Sequence, residues 1–323
     1  MPKIEIDSEL FEMTKEIQAS PSPPLIFGLG QCSLDYLGQI ADYPPPDEKC
    51  EFSGLVVQGG GPVATALAAL SHWGLRCAFS GMIGEDAFGE TIRTSLQEEG
   101  IDTSDLVVRQ GGASQFAFIA VEPKAGRRTI FWQRPTGKPL GPEEVPQAKI
   151  LEAAVLHTDG LFIDASLQAC RIARQAGVPV VVDAGTLRDG MLELARLSDY
   201  FIASETFARQ LMGDRNPLDA CALLLEQGPR LVAVTLGAAG YSALYGKTAI
   251  RKPAYPVAAV DTTGCGDVFH AGFIFGLVQQ WDYALCLDFA AWAAAQASLD
   301  MGGRKGIPSL NRIKSQGYPL NTC

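Results

Sequence analysis

Twelve consecutive residues near the C-terminal end, Asp261-Thr262-Thr263-Gly264-Cys265-Gly266-Asp267-Val268-Phe269-His270-Ala271-Gly272, join a glycine-paired turn to an apolar stretch with helical spacing and set a carboxylate at the junction. Gly264 and Gly266 let main-chain N–H groups come close to an anion. The N-terminus of the helix that follows adds roughly half a positive charge. Asp267, just inside that helix, is placed to take a proton from an attacking hydroxyl. These parts together suit phosphoryl transfer. A lone Gly-x-Gly with a capping aspartate would mean only a strand-to-helix turn; the length of the run argues for more.

The elements that must hold this turn are those of an α/β chain. Pro21-Ser22-Pro23-Pro24 closes an N-terminal extension, residues 1–24, and Leu25 to Gly30 reads as a short buried strand. Residues 38–57 are broken by prolines and then alternate like an edge hairpin. A helix is expected over Val63 to His72, stopped by Gly74, with a strand at Cys77 to Met82. Alternation returns between Ser114 and Gln133 with a turn at Gly126. Thereafter apolar strands (Ala154–His157, Val178–Asp183, Tyr200–Ala203, Leu231–Leu236) alternate with amphipathic helices (Leu167–Ala176, Met191–Leu197, Thr206–Met212, Leu218–Gln227). That order predicts a doubly wound, mainly parallel sheet with helices on both faces. The two alternating stretches, about 37–57 and 112–135, do not fit such a sheet and are expected to form a small β lid. Tyr241 to Tyr255 reads as a hairpin.

Composition narrows the function classes. Of 323 residues 47% are hydrophobic and 19% charged, enough for a large core. The 36 acidic against 26 basic residues give a net charge of -10, which disfavours nucleic acid as a partner. No apolar run is long enough to span a membrane and the start lacks a basic signal, so a cytoplasmic protein is expected. The eight cysteines include no Cys-x-x-Cys and read as reduced core thiols, Cys265 alone lying where chemistry would use it. Gly28-Leu29-Gly30 lacks the third glycine of a dinucleotide fingerprint, and Gly246-Lys247-Thr248 is misplaced for a Walker loop. His72, His157 and His270 show no ligand spacing.

The run at 261–272 resembles the signature of the ribokinase-like (PfkB-type) carbohydrate kinases, Asp-Thr-x-Gly-Ala-Gly-Asp-x-Phe-x-x-Gly, with Cys265 in place of alanine. Gly59-Gly60-Gly61-Pro62-Val63-Ala64-Thr65-Ala66 and Gly84-Glu85-Asp86-x-x-Gly89 resemble the family's first signature and the segment after it. The resemblance covers nearly the whole chain and implies a ribokinase-like fold whose lid covers a sugar. It implies that Asp267 is the base, with the N–H groups of Gly264, Cys265 and Gly266 as anion hole. Asp35 and Gly59, Gly60 and Gly61 would meet the sugar, as a carboxylate can accept from a vicinal diol. Thr235, Gly237, Gly240 and Thr263 would line ATP, Gly302 and Gly303 closing the adenine side. It further implies Mg²⁺, a monovalent cation (K⁺) beside the Asp261 loop as in some relatives, and a homodimer through the β lid.

Two departures matter. The sugar-contacting asparagine of relatives is Ala64 here, and the glutamate of their Asn-x-x-Glu is Phe207, leaving Glu205 as a displaced metal candidate. The motifs look most like the branch acting on sulfofructose and related ketoses. Lys49, Trp132 and Arg134 at the lid rim suggest an anionic ketose held by charge-assisted bonds; the alternative is that both cations are solvated lid residues. A catalytically silent sugar-binding or regulatory relative, and a nucleoside or vitamin kinase of the same fold, share these residues.

Overall fold

The computed structural model describes residues 23–124 and 127–321. The N-terminal extension up to residue 22, the turn expected at Gly126, and Cys323 lie outside the described residues.

The main sheet runs in the order β14-β13-β12-β11-β10-β9-β1-β4-β5, with β6 beside the far end of β4. Its parallel strands are β1 (Leu25–Leu29), β4 (Arg76–Gly84), β5 (Ile101–Asp102), β6 (Leu106–Arg109), β9 (Val155–Thr158), β10 (Val180–Ala184), β11 (Tyr200–Ser204) and β12 (Leu231–Thr235). β13 (Tyr241–Tyr245) and β14 (Thr248–Lys252) extend it antiparallel, as the hairpin pattern predicts.

Why helices cover both faces is visible in single strands. In β11, Tyr200 and Ile202 join one core cluster and Phe201 and Ala203 the other; β10 divides Val181 from Val180 and Val182. Alternation with apolar residues at every position demands a layer on each side. One layer holds α1 (Pro62–His72), α2 (Ala87–Glu98), α8 (Cys265–Val278), α9 (Tyr283–Ala297) and α10 (Leu310–Ser315). The other holds α3 (Gln147–Glu152), α4 (Ile163–Ala176), α5 (Met191–Leu197), α6 (Glu205–Met212) and α7 (Pro217–Leu225).

The second sheet is the lid, in the order β3-β2-β7-β8, made of β2 (Ser33–Gln39), β3 (Ser53–Gly60), β7 (Phe116–Glu122) and β8 (Arg127–Gln133). β2 pairs antiparallel with β3 and parallel with β7, which pairs antiparallel with β8. The lid takes up the chain at Ser33, earlier than residue 37, so Asp35 rides on it. Leu37, Val56, Ala117, Ile119 and Val121 form its own small core against Met301.

The orientation of α8 is set by its packing on α1 and α9. A Cβ on Gly272 would lie 2.7 Å from Ala290 Cα, so the α8–α9 crossing needs that hydrogen. Trp73 locks the far end, its ring 5.3 Å from Phe275 and 5.4 Å from Phe289, with Nε1 donating to Pro308 O at 2.9 Å. Gly272→Val should therefore cost about 1–3 kcal/mol of stability through overpacking, read by equilibrium denaturation; a loss under about 0.5 kcal/mol would mean that α9 yields easily.

Candidate active site

α8 begins at the C-terminal edge of the parallel strands, where α/β sheets gather ligands. Its cap is Gly264, at φ 75°, and a Cβ there would fall 2.4 Å from Gly303 Cα. Two backbones thus touch where the loop turns left-handed, and only glycine satisfies both demands. Asp261, fully buried, fixes the loop: Oδ1 accepts from Thr263 N at 2.9 Å and Thr263 Oγ1 at 2.8 Å, and Oδ2 from Gly302 N at 2.9 Å. Thr263 and the Gly302-Gly303 pair therefore stand behind the loop as its scaffold. Gly302 also approaches Gln58 of the lid, since its Cβ would meet Gln58 Oε1 at 2.4 Å.

The Cys265 N–H closes a long turn onto Thr262 O at 3.4 Å. The N–H groups of Gly266 and Asp267, in the first turn, have no intrahelical acceptor. Around Gly266 the space is open: an added Cβ would meet nothing within 4 Å. An anion can thus approach the first turn on the Gly266 side. Burial pushes the Cys265 thiol up to about 12, opposed by the charge of Arg128, so it stays protonated beside that anion.

Asp267 does not stand alone. Burial, then the charge of Asp183, push its carboxyl well above the ordinary range; Arg128 opposes them, and Asp35 and Asp159 add to the rise. Asp159 follows β9, with Oδ2 accepting from Gln31 N at 2.8 Å and Oδ1 from Leu161 N at 2.9 Å, yet burial still carries it up to about 6. Asp183 ends β10 with Oδ2 3.5 Å from Nδ1 of His270. Nδ1 of His270 donates to Gly266 O at 2.7 Å, which supports the loop from beneath. His157 stacks on His270 at 5.6 Å and is held neutral, burial lowering it to about 3. Two of the three histidines thus form a buried platform under the loop.

Asp35 is buried on β2, with Oδ1 accepting from Ser33 Oγ at 2.7 Å. Burial raises it, while Ser33 and the Arg304 charge pull the other way. Its position depends on Gly60, whose Cβ would sit 1.9 Å from Asp35 Oδ2. On the other side of that glycine pair lies Arg304, buried, with Nη1 donating to Ser95 Oγ at 2.8 Å; a Cβ on Gly59 would strike its Nη2 at 2.8 Å. Gly61 caps α1 at φ 98°.

Trp132 pairs with Ala117 and so shares the lid face of Asp35, and the guanidinium of Arg134 lies 4.9 Å from the Trp132 ring. Arg134 also acts on Arg188 after β10, whose stronger influences are burial and Asp159. Lys49 is exposed between β2 and β3 and makes no hydrogen bond or ion pair with any described residue. Thr235 ends β12; Gly237, at φ 55°, opens onto empty space, and Gly240 packs against the Lys252 carbonyl. Glu205, at the start of α6, is paired with Arg209 at 2.9 Å on an exposed face and shares no hydrogen bond or ion pair with the Asp267 cluster. Phe207 is wholly buried against Phe201, and Ala64 is wholly buried in α1, so both departures belong to the core. Cys50 is exposed, against the expectation of a core thiol.

Asp159, Asp183, Arg128, Arg188 and Arg304 escaped sequence reasoning. The two aspartates had a signal: each stands at the C-terminal end of a buried apolar strand, the place where parallel strands deliver functional side chains. Arg304 lies in the stretch after Gly302-Gly303 that resembles the ketose branch, though without a role assigned to it; Arg128 and Arg188 had no signal.

A family model described as pfkB family carbohydrate kinase matches residues 28–310. The chain belongs to that family. It is a sugar kinase, a phosphotransferase with an alcohol acceptor. It is 28% identical over 293 residues to the ribokinase of Haemophilus influenzae (87% of this chain, 94% of the relative) and 25% identical over 312 residues to the 5-dehydro-2-deoxygluconokinase of Shouchella clausii (90% and 94%). An E. coli structure solved in complex with ATP and Mg²⁺ shares the fold, with TM-score 0.77, 23% identity, and 91% and 98% of the two chains covered.

For the kinase, Asp267→Asn should cut turnover by ~10²–10⁴ and leave nucleotide affinity nearly unchanged, since shape is kept and the proton acceptor lost. A variant keeping more than about a tenth of wild-type kcat would remove Asp267 as the base.

Proposed function

We propose that this kinase transfers the γ-phosphoryl group of ATP to a primary hydroxyl of a ketose or related sugar that carries an anionic group. The observation that carries the reading is the pairing of a half-buried carboxylate, Asp267, with a buried one, Asp35, in different surroundings. Asp267, at the open first turn of α8, has neither a hydrogen bond nor an ion pair with a described residue; Asp35 is fixed by Ser33 on the lid. The first is equipped to take a proton and the second to accept bonds from sugar hydroxyls. The Shouchella relative is named for a sugar acid, and that supports an anionic acceptor. So does the charge of Arg134, which reaches Arg188.

Mg²⁺ is proposed to arrive on the phosphates; the E. coli structure, solved in complex with both ATP and Mg²⁺, supports the joint use of the two. Among the described residues no three acidic, cysteine or histidine side chains are close enough to hold an ion unaided. The donor set fits a metal held by one or two carboxylates plus phosphate oxygens, Asp183 and Asp267 being the candidates. Bound there, the ion would offset the charge that Asp183, Asp35 and Asp159 impose on Asp267. The carboxylate of Asp261 is already satisfied by Thr263 and Gly302, so a K⁺ beside that loop would rest on main-chain carbonyls. A lid-to-lid homodimer is supported by Leu55, Val57 and Phe131, exposed on the outer lid face. No helix among the described residues is long and apolar enough to cross a membrane.

Asp35→Ala should raise the sugar KM by ~10-fold or more, because a buried hydrogen-bond partner is worth about 1–3 kcal/mol. Comparing kcat/KM for fructose with fructose 6-phosphate and a 6-sulfonated ketose, in wild type, Arg134→Ala and Lys49→Ala, tests the charge. A preference for an anionic ketose that shrinks in Arg134→Ala is expected. Equal efficiency on neutral and anionic sugars would leave a neutral hexose as the substrate.

A further inference from the structure

Three consecutive residues after α9 reach both halves of the site. Gly302 N donates to Asp261 and Gly303 packs against Gly264, while Arg304 lies against the root of the lid. The Arg304 side chain is only 8% exposed, its guanidinium set between Gly59 of β3 and the end of α2. Nη1 donates to Ser95 Oγ at 2.8 Å and stands 3.9 Å from Glu99 Oε1. Nε and Nη2 are buried and meet no hydrogen-bond partner among the described residues.

Packing does not account for such a group, because an apolar chain of the same length would fill the space without leaving two buried donors unused. What the geometry offers instead is a charge behind Asp35. Successive residues of a strand face opposite sides. Gly60 pairs with Ser33 and so shares the face of Asp35, whereas Gly59 pairs with Leu34 and faces the other way. A side chain on Gly60 would strike the Asp35 carboxylate, and one on Gly59 would meet Arg304 Nη2 at 2.8 Å and Nη1 at 2.9 Å. Two bare α-carbons thus let an anion and a cation lie on opposite faces of one strand, with its backbone between them. Burial raises the Asp35 carboxyl; the Ser33 hydrogen bond and then the Arg304 charge oppose that rise. Arg304 is the cation whose charge reaches Asp35.

We propose that Arg304 is a positioning residue for the sugar: from behind the Gly59-Gly60 strand, its charge holds Asp35 ready as an acceptor of hydroxyl hydrogen bonds. Arg304 touches neither sugar nor ATP. A charged carboxylate offers both oxygens as acceptors to a diol, whereas a protonated one must use one oxygen as a donor. The bond to Ser95 sets where the guanidinium lies. Since Gly302 and Gly303 brace the turn before α8, one segment of chain sets both the sugar carboxylate and the anion loop.

The inference rests on Asp35 being the sugar acceptor, and the experiment separates the two. Wild type, Arg304→Gln, Arg304→Lys, Asp35→Asn and the double variant Arg304→Gln with Asp35→Asn are assayed with MgATP and whichever of ribose, fructose and fructose 6-phosphate wild type uses best. The pH titration of the Asp35 carboxyl is followed in parallel by carbon-13 NMR, the signal being assigned by its loss in Asp35→Asn. Arg304→Met takes over should Arg304→Gln fail to fold. Arg304→Gln should raise the sugar KM by about tenfold, with kcat and the MgATP KM within about threefold of wild type. Arg304→Lys, which keeps the charge, should recover most of the loss. In the Asp35→Asn background, Arg304→Gln should change the sugar KM by less than about twofold, since the carboxylate it acts on is gone. The Asp35 carboxyl should titrate at higher pH in Arg304→Gln than in wild type. If Asp35→Asn raises the sugar KM but Arg304→Gln does not, or if the effect of Arg304→Gln is undiminished in the double variant, Arg304 is a structural residue and the proposal fails while the reading of Asp35 stands. If Asp35→Asn leaves the sugar KM unchanged, the reading of Asp35 fails and takes the proposal with it. No turnover by wild type with any of the three sugars would overturn the substrate reading; the titration would still judge Arg304, an unchanged Asp35 midpoint overturning the proposal.

Discussion

Negative charge gathered against the positive end of one helix is the constraint around which this molecule is arranged. Asp35 from the lid and Asp159 and Asp183 from two strand ends all act on Asp267 of α8, and Asp183 acts on Asp159 as well, in a space that water reaches poorly. Left uncompensated, such charge is costly, and carboxylates respond by holding protons. The fold pays for it only in part, with the α8 terminus and Arg128 nearby and Arg304 behind the Gly59-Gly60 wall. What remains is a preference for a ligand that brings cations of its own, and ATP with Mg²⁺ is such a ligand.

The rest of the architecture serves to hold that arrangement still. Gly264 and Gly303 touch through their backbones, and Asp261 ties Thr263 to Gly302 across 41 residues of chain. His270 reaches from one turn further along α8 to the Gly266 carbonyl, with His157 stacked beneath it. α8 is itself wedged between α1 and α9 at a crossing too close for any side chain on Gly272. The other part is the lid, which carries Asp35, Trp132 and Arg128 on one face, with Arg134 over the Trp132 ring. The site is thus divided between the packed α8 loop that carries Asp267 and a separate sheet that carries Asp35.

How much of this could be read in the sequence follows from whether the signal was local. The sheet and its helices were legible because apolar runs such as Val180 to Val182 and amphipathic stretches such as Leu167 to Ala176 carry their period within a few residues. The 261–272 run and Asp35 attracted attention for the same reason, each lying in a contiguous motif. Asp159 and Asp183 were overlooked because each is a single acid after a hydrophobic strand, meaningful only once the strands are side by side. The contacts of Arg128 and Arg304 are made across 134 and 209 residues, so even the motif containing Arg304 does not tell what it touches. The Gly302-Gly303 pair, expected at the adenine edge, packs against Gly264 and is tied to Asp261, a contact that lies 41 residues away in the chain. The residue at the expected glutamate position, Phe207, turned out to be core packing.

The central claim is that Asp267 is a base whose proton affinity is raised by its buried setting and by the charge of Asp183. The direct measurement is the pH dependence of kcat/KM for the sugar, at saturating MgATP, in wild type and in Asp183→Asn. A base must be deprotonated to act, so the rate should fall on the acid side, and with a raised pKa the fall should begin well above the ordinary aspartate value of about 4. Removing the Asp183 charge should move that limb to lower pH. An acid limb at the same pH in both proteins, or none above the ordinary aspartate range, would contradict the account.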